Sequence, residues 1–281
     1  VNNFSERPSI LDNPHAERVK KVAALAGRSA RFKHGKILVE GPQAVRELIR
    51  HRSSFVEDVY YTLAAAQTHP DVIDDAERLC RWVHEVSDEV SEALSRDSQG
   101  ICAVARTEAI ETSLPEIQSG DTLVVIAQGR DPGNVGTIMR TADAMGARAI
   151  ISVKGSVDSS SPKVIRSSAG SVFHLPIVPA ASFDEACQTL RGMNAAILGT
   201  SGAQGAYSLT SLMSYAAWER RGWLAQTHAW VFGNEAQGMS EAEMASCDAL
   251  VMIPMSGNAE SLNVASAAAM CLFASQSVRL G

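Results

Sequence analysis

The chain predicts an α/β fold, a mostly parallel sheet in a C-terminal domain preceded by a smaller α/β domain. Three observations predict it. Short buried-type runs such as "TLVVIAQG" (122–129) alternate with stretches of helical period. That alternation implies crossover helices on both faces of a parallel sheet. A polar stretch without sustained period, "EAIETSLPEIQSGD", separates a first α/β pattern from a longer second one. With 281 residues, 46% hydrophobic and 20% charged, the chain can bury a substantial core in each part.

Residues 1–33 read as a tail and a basic helix, with Val19, Val22 and Leu25 on its apolar face. Residues 34–106 form the small domain. "KILVEGPQAVRELIRH" is a strand, a Gly-Pro turn and a helix whose face is Val45, Leu48 and Ile49; "VEDVYYT" and "ICAVART" are strands around the helix "HPDVIDDAERLCRWV". Residues 107–120 are the linker. Residues 121–281 form the second domain. After "TLVVIAQG" come the helix opening at "DPGN", then "ARAIISV" (strand), "SPKVIRSSAG" (helix), "VFHLPIV" (strand), "FDEACQTLRGM" (helix), "NAAILGTS" and "HAWVFGNE" (strands), "SEAEMASCD" (helix), "ALVMIPM" (strand) and a helix over about 262–278.

Composition removes several functions. No apolar run reaches the roughly 20 residues of a membrane span, and the N-terminal stretch lacks the apolar core of a signal peptide, so the expectation is a cytoplasmic protein without membrane contact. Five scattered cysteines and seven histidines show no ligand spacing, so no metal is expected. GxxxxGK[ST], HExxH, GxSxG and GxGxxG are all absent; "GTSGAQG" has the wrong spacing. Net charge is −6, yet Arg18, Lys20, Lys21, Arg28, Arg31, Lys33 and Lys36 cluster with no acid among them. Such a cluster is either a solvated helix face or a surface for phosphates.

Three strand ends carry the chemistry, as expected of an open α/β sheet. In "DPGNVGTIMRTADAMGA", Val135, Ile138, Met139, Ala142 and Met145 share one helical face, and Arg140 points away among Gly136, Thr137 and Ala144, with Asn134 as the expected N-cap. In "VFGNEAQGMS", Gly233 and Gly238 permit a tight turn around Glu235, and Ser240 with Glu243 reads as a capping box. In "IPMSGNAESLNVASAAAMCLF", Ser261 and Asn263 lie at the start of an apolar helix, with Ser261 a plain N-cap on the simplest reading. The small residues 265–269 permit close helix or subunit packing.

Together, in this order and spacing, the three segments resemble the signature motifs of the SpoU family, within the SPOUT superfamily of RNA methyltransferases. The resemblance covers 121–281; residues 34–106 look like the RNA-binding domain, related to ribosomal proteins, that many members carry. It implies a deep trefoil knot in the C-terminal domain, S-adenosylmethionine as cofactor, a homodimer, and methyl transfer to a ribose 2′-hydroxyl of RNA without a metal. By position it implies cofactor contacts from Gly233, Ile253 and Leu262, with Thr200 close by, and a polar site shaped by Asn134, Glu235, Ser261 and Asn263 around a catalytic Arg140. One departure, Ala265 where many relatives have serine, leaves the chemistry untouched.

Two roles for Arg140 stay open: transient base assisted by an RNA phosphate, or permanent cation that grips that phosphate and stabilises the developing alkoxide. The extra N-terminal domain favours ribosomal RNA over transfer RNA as substrate. The alternatives are a transfer-RNA methyltransferase, a non-catalytic RNA-binding member of the fold, and a dinucleotide oxidoreductase suggested by the α/β pattern alone.

Overall fold

The computed structural model describes residues 10–219, 221–234 and 237–280. The chain divides into two compact units, Val1–Ile110 with Asp158–Phe173, and Glu111–Val157 with His174–Gly281.

The first unit contains α1 (Glu17–Ala23), α2 (Arg28–His34), β1 (Lys36–Glu40), α3 (Pro42–Arg52), β2 (Val56–Tyr61), α4 (Leu63–Thr68), α5 (Pro70–Leu79), β3 (Val83–Glu85), α6 (Asp88–Leu94) and β4 (Ile101–Arg106). Its four-stranded sheet has the order β1-β4-β2-β3, antiparallel except for β2 with β3. Val19, Val22 and Leu25 join Leu38, Tyr60, Val90, Leu94 and Val104 in one core, so the predicted apolar face of the basic helix is buried. That helix is broken in two at Ala24–Ala26 by a 3-10 turn. Three elements lie outside the predicted pattern. They are α4 and α6, opened by Thr62 and Ser87 as N-caps, and the short strand β3.

The basic cluster is not one uniform cationic face. Arg31 is only 4% exposed. Its guanidinium donates to Leu25 O (3.1 Å), Ala26 O (2.7 Å), Ser160 Oγ (3.1 Å) and Asp158 Oδ2 (2.8 Å). Arg18 pairs with Asp58 and Lys36 with Glu57, whereas Lys21, Arg28 and Lys33 are exposed. Residues 158–173, with α8 (Pro162–Ser167), therefore belong with the first unit although they interrupt the second in sequence. Arg166 of α8 bonds Glu40 and Asp97, and Gly170, at φ +90°, sits where a Cβ would come within 2.6 Å of Glu47 Cβ.

The second unit contains β5 (Thr122–Ile126), α7 (Pro132–Ala144), β6 (Ala149–Val153), β7 (Ile177–Ala180), α9 (Phe183–Gly192), β8 (Ala196–Thr200), β9 (Tyr207–Ser208), α10 (Leu209–Glu219), β10 (His228–Phe232), α11 (Glu241–Ala245), β11 (Ala249–Met252) and α12 (Val264–Leu280). Seven strands in the order β7-β6-β5-β10-β8-β11-β9 pair in parallel throughout, as the sequence predicts. The predicted strand 172–178 differs: Ser171–Phe173 form a 3-10 turn and pairing starts at Ile177. Ala169 and Gly170, both at positive φ, turn the chain just before that run, so its apolar residues are buried without being extended. The five cysteines are free, and burial pushes the Cys102, Cys247 and Cys271 thiols up to about 12, away from nucleophilic use. Among the described residues no helix is long and apolar enough to cross a membrane.

A buried polar knot fastens α12 to the sheet. Ser275 Oγ accepts from Trp230 Nε1 at 2.8 Å and lies 2.7 Å from His228 Nε2, while His228 Nδ1 lies 2.8 Å from Gln226 O. Burial pushes the His228 imidazole down from the ordinary 6.5 to about 4. Between those two values an unfolded chain takes up a proton that the folded chain refuses, so stability falls with falling pH across that window. The loss from this group is about 3 kcal/mol, at roughly 1.4 kcal/mol per unit. Urea unfolding at pH 7.5 and pH 4.5 is expected to show this loss, and His228→Gln, which does not titrate, is expected to flatten it.

Candidate active site

In a parallel sheet all strands end on the same edge. Phe232 pairs with Ile126, Val231 with Gly199 and Val251 with Thr200, so the loops after β5, β8, β10 and β11 leave the sheet side by side. Every described residue predicted for the site lies on those loops, on α7, just before α12, or, for Thr200, at the end of β8.

The β5–α7 loop is tight. A Cβ on Gly129 would lie 2.5 Å from Val135 Cγ2. Gln128 Nε2 donates to Glu243 Oε1 at 3.1 Å, tying this loop to α11, whose start carries the predicted Ser240–Glu243 capping box. The cap of α7 differs from the expectation. Asp131 Oδ1 accepts from Asn134 N–H at 2.8 Å, so Asp131 is the N-cap and Asn134 sits one turn inside. Asp-Pro before a helical run is the signal for this arrangement, since proline suits the first helical position. Asn134 is thereby released from capping, and its Oδ1 accepts from Asn263 Nδ2 at 3.0 Å. Arg140 is exposed as predicted, with no hydrogen bond or ion pair among the described residues, whereas Gly136, expected beside it, is buried.

After β10 the chain doubles back on itself. Asn234 and Gly238 exchange two backbone hydrogen bonds (2.9 and 2.8 Å), and Asn234 Oδ1 accepts from Gln237 N–H. A Cβ on Gly233 would stand 2.6 Å from Gly238 C and O, backbone atoms that cannot yield, and Gly238 itself is at φ +67°. Glu235 lies outside the described residues. Thr200 Oγ1 donates to Val231 O at 2.9 Å, holding β8 against β10 directly below this turn.

The third segment is irregular from Ile253 to Asn263. Asn263, not Ser261, caps α12: its Oδ1 accepts from Ala265 N–H (2.8 Å) and Ser266 N–H (3.3 Å). One side chain thus uses its oxygen to start α12 and its nitrogen to hold α7. At the far end Arg279 donates to Met145 O (3.1 Å) and Gly146 O (3.2 Å), so the two helices run parallel and are tied at both ends. Arg279 carried no sequence signal as a tie; only the packing of α12 on α7 reveals it. Ser261 and Leu262 are exposed. Among the described residues the backbone groups of Gly233, Ile253 and Leu262 have no hydrogen-bonding partner within the chain.

Unmet backbone donors and acceptors at the carboxyl ends of parallel strands, beside a turn closed on its own backbone, are the features of an α/β enzyme that holds a nucleoside cofactor. Known proteins carry this further. The profile of the SpoU rRNA methylase family matches residues 121–273, and that of an MRM3-like substrate binding domain matches residues 16–103. The chain is 30% identical over 251 residues to the 23S rRNA (guanosine-2′-O-)-methyltransferase RlmB of Bordetella pertussis, covering 87% of this chain and 98% of that one. It is 27% identical to 23S rRNA (guanosine(2553)-2′-O)-methyltransferase RlmP of Bacillus subtilis, over 94% of this chain and 97% of the other. A crystal structure of an AdoMet-bound rRNA methyltransferase from Sinorhizobium meliloti superposes with a TM-score of 0.79 at 25% identity, covering 96% and 97% of the two chains. This chain belongs to the SpoU rRNA methylase family.

The dual use of Asn263 can be separated. Asn263→Ala removes the cap and is expected to cost about 1 kcal/mol of stability. Asn263→Asp keeps the capping oxygen and loses the Nδ2 donor toward Asn134. It is expected to melt within a few degrees of wild type while methyl transfer falls at least tenfold. Equal activity of Asn263→Asp and wild type would show that the Asn134 contact has no part in the reaction.

Proposed function

We propose that the chain transfers a methyl group from S-adenosylmethionine to a ribose 2′-hydroxyl of ribosomal RNA. The observation that carries this is the convergence of three separate segments on one sheet edge, with Asn263 bonded to Asn134 and the backbone groups of Gly233, Ile253 and Leu262 left open. These open groups suit the adenine, ribose and amino-acid parts of the cofactor, with Thr200 holding the strands beneath. When bound, the cofactor supplies a methyl carbon made electrophilic by its sulfonium.

The residues of the chain supply the rest. Arg140 stays charged, since an arginine does not give up its proton in a protein. It grips a phosphate of the RNA bidentately and stabilises the negative charge that develops on the 2′-oxygen as that oxygen takes the methyl group and its proton passes to water. Asn134, fixed by Asn263, and Ser261 position the sugar; Glu235 completes the polar set by its place in the motif. The knot follows the same reading: the chain beyond β11 threads a loop. A sheet order that inserts β10 between β5 and β8, and the tying of α12 to α7, favour it.

The enzyme works as a homodimer through this unit. Met270 (44% exposed) and Phe273 (57% exposed) lie on one outward stripe of α12, an apolar surface that a second copy covers. Ribosomal RNA is favoured over transfer RNA by the first unit, whose profile match is to a substrate-binding domain, and by the relatives, which are named 23S rRNA methyltransferases.

Tritiated-methyl incorporation into total RNA tests the reading. Arg140→Ala is expected to reduce incorporation at least a hundredfold while S-adenosylmethionine binding by calorimetry persists within threefold. Turnover like wild type would refute the role of Arg140, and binding of RNA without incorporation by the wild type would support a non-catalytic member instead. Phe273→Asp is expected to sediment as a monomer; an unchanged dimer would place the subunit contact elsewhere.

A further inference from the structure

The first unit holds a cavity of about 630 Å³ at the start of β2 and β3, lined by Arg18, Glu57, Asp58, Arg81, Trp82 and His84. Trp82 stands at it with 52% of its surface exposed, an unusual position for an indole in a well-packed unit. Its backbone is anchored to β2, where the Trp82 carbonyl accepts from Val59 N–H at 2.9 Å. The Arg81 guanidinium lies over the indole, 5.1 Å from the ring centroid. Arg81 has no carboxylate partner among the described residues.

The charge of the cavity can be worked out pair by pair. Glu57 is neutralised by Lys36 Nζ at 2.5 Å. Asp58 Oδ1 accepts from Arg18 Nη2 at 2.6 Å and lies 2.9 Å from His84 Nε2. Burial alone would push the Asp58 carboxyl up, but the bond to His84 and the charge of Arg18 outweigh it and hold the group below the usual carboxylate range. The His84 ring stacks on Tyr60 with centroids 5.2 Å apart, and Arg18 lies over the same Tyr60 ring at 5.4 Å. Both acids are thus paired with cations, Asp58 within the wall and Glu57 with Lys36 outside it, and among the described residues Arg81 is left without an acid beside an open aromatic face.

A half-exposed indole beside a guanidinium with no acid partner among the described residues has the chemistry that holds single-stranded nucleic acid: a π-face for a base and a cation for the phosphate next to it. An apolar peptide would find one aromatic ring and no pocket of aliphatic side chains. We propose that Trp82 and Arg81 form a stacking site for one unpaired base of the RNA substrate, with Arg81 on the adjoining phosphate and Arg18, fixed by Asp58, at the back of the cavity. The site rests on the reading that the chain acts on RNA. It serves to position substrate and takes no part in methyl transfer.

The test uses the full chain and a short unstructured oligouridylate as probe, followed by filter binding and by tryptophan fluorescence, with steady-state methylation of ribosomal RNA in parallel. Trp82→Ala is expected to weaken oligouridylate binding by roughly tenfold to a hundredfold, the range for loss of one base–aromatic stack, and to abolish most of the fluorescence quenching. Trp82→Phe is expected to restore binding to within a few-fold. Arg81→Ala is expected to weaken binding and lower the slope of log K against log salt by about one. KM for ribosomal RNA rises in Trp82→Ala, with kcat and S-adenosylmethionine affinity unchanged. Unchanged oligouridylate affinity in a Trp82→Ala protein that melts like wild type overturns the site, as does a fall in kcat at constant KM. The two readings fail separately: a wild type that methylates ribosomal RNA but ignores the probe overturns the stacking site alone, and one that methylates no RNA overturns the proposed function.

Discussion

The second unit depends on how α12 is held. Its first residue is started by the Asn263 oxygen, its start is bound to α7 by the Asn263 nitrogen, its middle is bonded to β10 through Ser275, and its end is clamped by Arg279 on the last carbonyls of α7. A helix fastened at three points to two other elements has little freedom to slide. Because the 253–263 segment leads into it, that segment is brought to the carboxyl edge of β5, β8 and β10. The opposite order of cause would not work, since an irregular loop of polar and small residues buries too little surface to position a 17-residue helix.

The same economy appears in the turn after β10. Gly233 and Gly238 are required for different reasons: the space where Gly233 would carry a Cβ is filled by the backbone of Gly238, and Gly238 itself stands at φ +67°. A turn built this way demands strict backbone geometry, which is why the motif is rich in glycine.

The first unit solves a different problem. Arg31 is buried with each guanidinium nitrogen hydrogen-bonded, and two of its four bonds go to Asp158 and Ser160, which follow it by more than a hundred positions. A buried guanidinium left without those partners would be costly, so residues 158–160 are held to the N-terminal part of the first unit by more than chain connectivity. The N-terminal core and the segment 158–173 are one cooperative structure in the sense that neither satisfies its charged groups alone.

Much of this was readable in the chain. The alternation of apolar runs and helical periods stated the parallel sheet, Ser240 and Glu243 announced their capping box, and Val135, Ile138, Met139 and Ala142 named the buried side of α7, because these are consequences of local periodicity and local hydrogen bonding. The three motif segments also stood out in the chain, and the fold brings their strand ends to one edge of the sheet. What remained hidden was everything set by partners far away. Asn134 had the look of a cap, yet Asp131 took that task and Asn134 turned to a residue 129 positions on. Arg31 looked like one cation among seven until Asp158 came to meet it. Local pattern decides which elements form and which face they bury; only the packed chain decides which of two competent side chains does a given job, because that choice is made by the free energy of satisfying buried polar groups across the whole structure.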